Sequence, residues 1–193
     1  VIWRSAYQRI AAYFEQESGR RLAAGMKILA KATVNYHPLY GLSLQITDID
    51  PAYTIGDMER QKQQTIAQLQ RDGVWDMNRE TPMPEVVQRI AVVSSASAAG
   101  YRDFMRETGK SPYLFRIELF EAVMQGTASE RSIIDALSAV AAREEEFDAV
   151  AIIRGGGATS DLNCYNSYLL ASYVAQFPLP VLTGIGHDKD VSV

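Results

Sequence analysis

Between residues 89 and 185 four short apolar runs (89–95, 113–123, 149–153 and 181–185) alternate with stretches of helical periodicity, and nothing else in the chain restricts its fold as strongly. The intervening segments carry the 3.6-residue period, as at Ile133, Leu137 and Val140. Such grammar predicts an α/β domain, a Rossmann-like parallel sheet with helices on both faces. Ligands in open sheets of this kind bind beyond the carboxyl ends of the strands, so the residues just after each run are the ones to inspect.

The first third of the chain has a different pattern. Tyr7, Ile10, Ala11 and Phe14 give a short helix one apolar face, with Ser5 expected to cap it and Gly19 to end it. From Lys27 the period becomes two: Ile28, Ala30, Ala32, Val34 and Tyr36, a breaker at residues 37–41, then Leu42, Leu44 and Ile46. This predicts a β-hairpin, closing at Asp50-Pro51, and with its helix it resembles the second half of an OB barrel. Half a barrel leaves strand edges open, so the missing strands are expected upstream, or a second copy of the chain on the open edge. Residues 57–71 read as a polar connector helix. The expected organisation is a partial OB-fold over 1–54, a connector over 55–80 and a catalytic α/β domain over 81–193, cut at both ends.

Composition removes several classes. The 193 residues are 47% hydrophobic and 22% charged, the balance of a folded globular protein. No apolar run approaches the ~20 residues that cross a bilayer. Cys164 is the only cysteine, so no internal disulfide or zinc cluster can form, and it reads as a small buried hydrophobe in a cytoplasmic protein. The net charge of −4 provides no global attraction to nucleic acid, so any grip on DNA must be local.

Three runs end in small or polar clusters. The first enters Ser94-Ser95-Ala96-Ser97-Ala98-Ala99-Gly100 and then Asp103, where hydroxyls and a helix N-terminus could receive an anion. A βα turn with serine caps and an exposed first-turn aspartate is the plainer reading. The third reaches Arg154-Gly155-Gly156-Gly157, a planar phosphate donor beside three residues without Cβ, so a phosphate could approach bare backbone. Neither the dinucleotide fingerprint nor a Walker loop is present. Asp161 is placed to cap the next helix, and Asn166 to bond the loop or a ligand. The fourth ends in Gly186-His187-Asp188-Lys189-Asp190, where carboxylates beside an imidazole suit acid/base work, or form a solvated turn. His37 sits in the hairpin turn as a surface residue.

These residues resemble the exodeoxyribonuclease VII large-subunit family. The likeness is carried by Arg154-Gly155-Gly156-Gly157-Ala158-Thr159-Ser160-Asp161-Leu162, by Tyr165-Asn166, by Gly186-His187-Asp188-Lys189-Asp190, by the segment from Arg89 through Asp103, and by Asp48-Ile49-Asp50-Pro51. The chain departs from the family pattern at Asp188, usually glutamate, and at Tyr165, usually phenylalanine. The family's proline-rich segment after the histidine motif is missing.

The resemblance implies hydrolysis of phosphodiester bonds in single-stranded DNA, with Asp103, Arg154, His187 and Asp190 at catalytic positions. It also implies an OB module that feeds the strand and a long helical C-terminal region that carries small subunits. Ser94, Ser95, Gly155, Gly156 and Gly157 are expected to face phosphate, with Asp161, Asn166 and Asp188 in support. No cofactor is certain, although Asp103 and Asp190 could hold Mg²⁺. The rival reading is a Rossmann-like module that binds a nucleotide or sugar phosphate without catalysis.

Overall fold

A computed structural model of the chain describes residues 1–19, 21–155, 164–186 and 192–193. They form two compact units, one built on Val1–Gln61 and one on the residues from Lys62 onward.

In the first unit, α1 (Arg4–Ser18) is followed by the antiparallel pair β1 (Leu29–His37) and β2 (Gly41–Asp50). The helix begins one residue before Ser5, which therefore does not cap it. Trp3 is extended at the cap position without a side-chain bond, and its carbonyl accepts the Tyr7 N–H at 2.8 Å. Gly19 does end the helix: its φ of 67° lies in the left-handed region, and its N–H returns to Glu15 O. Ile10 and Phe14 are buried against Ile49, with Ala30 and Ile46 alongside. That core reaches only the open end of the hairpin, because Val34, Tyr36, Leu42 and Leu44 remain exposed. Among the described residues the strands pair only with each other, apart from Val1, whose N–H donates to Leu44 O and whose carbonyl accepts the Ile46 N–H along the outer side of β2.

The helix α2 (Pro51–Arg71) starts directly after β2, earlier than the polar stretch alone suggests. Pro51 suits a first helical turn, where its missing N–H costs nothing, and Asp50 Oδ1 accepts the Ala52 N–H at 3.0 Å. Buried Asp57 takes hydrogen bonds from Arg60 and Gln61 and an ion pair from Lys27, which anchors the helix start to the segment before β1. The Arg60 bond comes first among the influences that hold the Asp57 carboxyl below its ordinary value.

The second unit contains α3 (Met77–Glu80), β3 (Arg89–Ser94), α4 (Ala99–Thr108), β4 (Arg116–Glu121), α5 (Ser129–Ala141), β5 (Ala149–Arg154), α6 (Tyr168–Ala175) and β6 (Val181–Ile185). The four strands make one parallel sheet in the order β4-β3-β5-β6. Alternate residues of β3 and β5 serve opposite faces. Ala91, Val93, Val150 and Ile152 pack with α5 and α6, whereas Ile90, Val92, Ala151 and Ile153 pack towards Tyr101 and Phe104 of α4. Helices therefore cover both faces, as the alternation predicts. β4 is shorter than its apolar run because residues 113–115 belong to the preceding turn, where the Tyr113 N–H bonds Ser111 Oγ and Leu114 is exposed. At the opposite end of the sheet, the Asp148 carboxylate takes the Gln88 and Arg89 N–H groups and the Arg89 guanidinium. These bonds, the Arg89 side chain foremost, hold its carboxyl down at about 2.

Candidate functional site

The strand order decides where a site can form. From β3 the chain runs outward to β4, then crosses back over β3 to β5 and continues to β6, so the winding direction reverses between β3 and β5. The loops leaving these two strands diverge to opposite faces and leave a crevice at their carboxyl ends.

Ser94 and Arg154 close β3 and β5 at that crevice, and both are buried. The Ser94 hydroxyl donates to Ile153 O at 2.6 Å, and its carbonyl accepts the Ala122 N–H at 2.8 Å, so this residue ties three strands together. Arg154 is only 5% exposed. Its charge reaches Cys164 and Tyr165, where it opposes the burial that pushes the thiol and the phenol upward. The Tyr165 hydroxyl donates to Met124 O. Cys164 is partly buried beside the α5 and α6 core, in keeping with a packing role.

Gly155 follows, and the backbone of α4 comes down onto it. A Cβ on Gly155 would lie 2.7 Å from the Gly100 nitrogen and 3.2 Å from the Ala99 nitrogen, while one on Gly100 would lie 2.8 Å from the Gly155 nitrogen. No side chain fits at either position without moving backbone. Glycine here serves close approach: the start of α4 is packed directly against the end of β5.

Two cavities meet at Arg154 and Gly155. One, of about 530 Å³, lies on the α4 side and is lined also by Asp103, Phe104, Leu182 and Gly186. The other, of about 440 Å³, is lined also by Ser95, Ser97, Glu121, Gln125 and Ser132. The first brings together three of the segments singled out in the sequence, those of Asp103, of Arg154 and Gly155, and of Gly186. His187, Asp188, Asp190, Gly156, Gly157 and Asp161 lie outside the described residues.

The remaining candidates have partners within the fold. Asp103 is exposed on α4 and pairs with Arg106 at 2.9 Å. Ser95 Oγ donates to Glu121 Oε1 at 3.0 Å. Asn166 Oδ1 accepts the Val193 N–H, and its carbonyl accepts the Thr65 hydroxyl, so it acts on the surrounding backbone. The helix after it is capped by Ser167, whose side chain accepts the Leu170 N–H. For Mg²⁺, Asp103 offers one oxygen-donor carboxylate facing the larger cavity, and no group of three His, Cys, Asp or Glu gathers among the described residues.

Glu121 and the contact that Gly100 makes with Gly155 belong to this region and escape the sequence reading. The glycine had one visible sign, its place at the end of the small-residue run 96–100. The glutamate had another, a charge closing an otherwise apolar strand.

With the site described, comparison with known proteins assigns the lineage. The family model described as exonuclease VII, large subunit, matches residues 74–193. The chain belongs to that family. An exodeoxyribonuclease 7 large subunit of Deinococcus radiodurans is 37% identical over 98% of this chain and 47% of its own length. Those of Moorella thermoacetica and Lactobacillus helveticus are 30% and 29% identical, over 89% and 100% of this chain and 42% and 41% of their own lengths. The chain thus spans less than half the length of these exonuclease VII large subunits.

Proposed function

We propose that this exonuclease VII large-subunit chain carries the hydrolytic centre of an enzyme that cleaves phosphodiester bonds in single-stranded DNA in the cytoplasm. The observation that carries the reading is the buried Arg154 at the winding reversal, at the junction of two cavities, one of which Asp103 and Gly186 also line. A guanidinium is a planar fork that can meet two phosphoryl oxygens at once, which stabilises charge that builds up during in-line attack by water. Gly155 contributes through its backbone contact with Gly100, which sets the first turn of α4 beside this arginine.

His187 follows Gly186 directly and is assigned proton transfer, to the leaving oxygen or from water. Asp103 and Asp190 orient the histidine or the water. Where Mg²⁺ is bound, these two carboxylates would hold it, and the ion would add charge stabilisation at the phosphate. Preference for single strands is assigned to the first unit, where Trp3, Tyr7, Tyr36 and Tyr40 are exposed and can stack on bases. A small subunit is the expected protein partner, engaged through sequence beyond this chain.

The test uses the full-length large subunit with its small subunit on single- and double-stranded oligonucleotides. His187→Ala is expected to retain DNA binding and lose hydrolysis by ~10²-fold or more, the range for a removed acid/base. Wild-type turnover in that variant would take the histidine out of the mechanism. Absence of hydrolysis in the wild type, with nucleotide binding that needs Arg154, would favour a binding module instead.

A further inference from the structure

We propose that Glu121 is a positioning residue for this hydrolytic site, holding the β3–α4 loop so that α4 keeps Asp103 and its own first amides in register with Arg154 and Gly155. The inference rests on the nuclease reading above. Glu121 ends β4, one strand away from the crevice, and its carboxylate reaches sideways to the loop that leaves β3. Oε1 accepts the Ser95 hydroxyl at 3.0 Å and the Ala96 N–H at 3.2 Å, while Oε2 lies 3.0 Å from the same nitrogen. The neighbouring Ala122 N–H donates to Ser94 O, so the end of β4 and the residue after it fix three successive residues of the chain, 94 to 96, as it turns out of β3.

What this loop delivers is the start of α4. Ala98 stands at the cap position without a side-chain bond, so α4 has no cap of its own to set where it begins. Its start is instead determined from outside, by the Glu121 anchor before it and by the Gly100–Gly155 backbone contact after it. Asp103 lies one turn beyond Gly100 and faces the same cavity as Arg154. A loop released at residues 95 and 96 leaves that turn to the glycine contact and to the packing of Tyr101 and Phe104 on the sheet, neither of which fixes the chain before the helix. Displacements of about 1 Å at a reacting group can cost as much as ~10²-fold in rate, so a modest slip here has a kinetic consequence.

A second feature excludes the simplest alternative, a merely solvated surface carboxylate. The Ser95 hydroxyl is one of the donors that the sequence offered to a phosphate, and in the fold it and the Ala96 N–H are directed at Glu121. The anion they hold is a side chain. The phosphate is therefore left to Arg154, and Glu121 acts on it through the loop.

The experiment measures kcat and KM of the full-length large subunit with its small subunit on a single-stranded oligonucleotide, for the wild type, Glu121→Ala, Glu121→Gln and Arg154→Ala. Glu121→Ala is expected to lower kcat roughly tenfold with KM within about threefold, because geometry at the reacting group is lost and the binding surface is kept. Glu121→Gln should stay within about threefold of the wild type in kcat, since its amide oxygen can still accept both donors as Oε1 does. A glutamine variant as impaired as the alanine variant would show that the charge itself is needed and overturn the assignment. So would wild-type or increased kcat in Glu121→Ala, or a Glu121→Ala protein that loses its folded circular dichroism signal, which would make the contact a structural one. Failure of the nuclease reading looks different: the wild type and Arg154→Ala then show the same absence of hydrolysis, and the Glu121 assignment falls with it.

Discussion

The hairpin and the parallel sheet announce themselves in the sequence by equally plain apolar patterns, yet they end in opposite environments. In β5 all six residues are buried, and in β3 every residue after Arg89 is. In β1 and β2 the residues of the apolar face nearest the turn stand in solvent: Val34 is 60% exposed and Leu42 70%. The difference lies in who supplies the cover. Helices on both faces bury the sheet from within its own unit, whereas α1 covers only the open end of the hairpin. Periodicity tells which residues can be buried on one face and leaves open whether a partner is present.

The contrast is tested most severely at the glycine contact. Gly155→Ala would put a Cβ within 2.7 Å of the Gly100 nitrogen, backbone against backbone, with no flexible side chain to yield. The expected result is a loss of about 1–3 kcal/mol in stability, as for other overpacked sites, and of ~10²-fold or more in nuclease activity of the full-length enzyme if the crevice is the site. Urea unfolding and initial rates check the two parts. Unchanged values for both would mean that α4 and β5 do not meet as described.

A matched pair of leucines measures the difference in cover. Leu137 on α5 is fully buried, so Leu137→Ala should cost about 2–5 kcal/mol. Leu42→Ala in the hairpin should stay within about 0.5 kcal/mol. If Leu42→Ala proves as costly as Leu137→Ala, the exposed face is covered in solution and the contrast disappears.

A smaller effect concerns pH. The folded Asp148 carboxyl titrates at about 2, below its unfolded value of about 3.9. Its pair with Arg89 therefore stabilises fully above roughly pH 4, and that contribution fades as the pH falls towards 2. Asp148→Asn should unfold at lower urea than the wild type at pH 7, with the gap closing near pH 2. A gap that persists unchanged at pH 2 would detach the effect from the ionised pair.

Legibility followed the range of the interactions. The strand of residues 181–185 was readable to the residue, and β3 and β5 to within one, because local apolar runs stop where the burial stops. The run at 113–123 overshoots β4 at both ends: Tyr113 and Leu114 are apolar residues in an exposed turn, and Ala122 and Val123 follow the strand. Ser5 was read as a cap from residue type, but the chain enters α1 through the backbone of Trp3. At the site, Arg154, Gly155 and Asp103 were visible as chemistry next to strand ends. Glu121 and Gly100 were not, because their meaning depends on partners 26 residues away in one case and on the α4–β5 approach in the other. Strand adjacency supplies such partners, and no local window contains it.

The central claim is that Arg154, buried at the reversal between β3 and β5, holds the phosphate that is cleaved. Arg154→Lys tests it most directly, since the charge is kept while the planar two-pronged donor is replaced by a point charge on a flexible stem. Steady-state hydrolysis of a single-stranded oligonucleotide by the full-length enzyme with its small subunit should then fall by ~10²-fold in kcat/KM with the fold intact, the scale seen when a preorganised charge-stabilising donor is removed. Wild-type kcat/KM in the lysine variant would contradict the account.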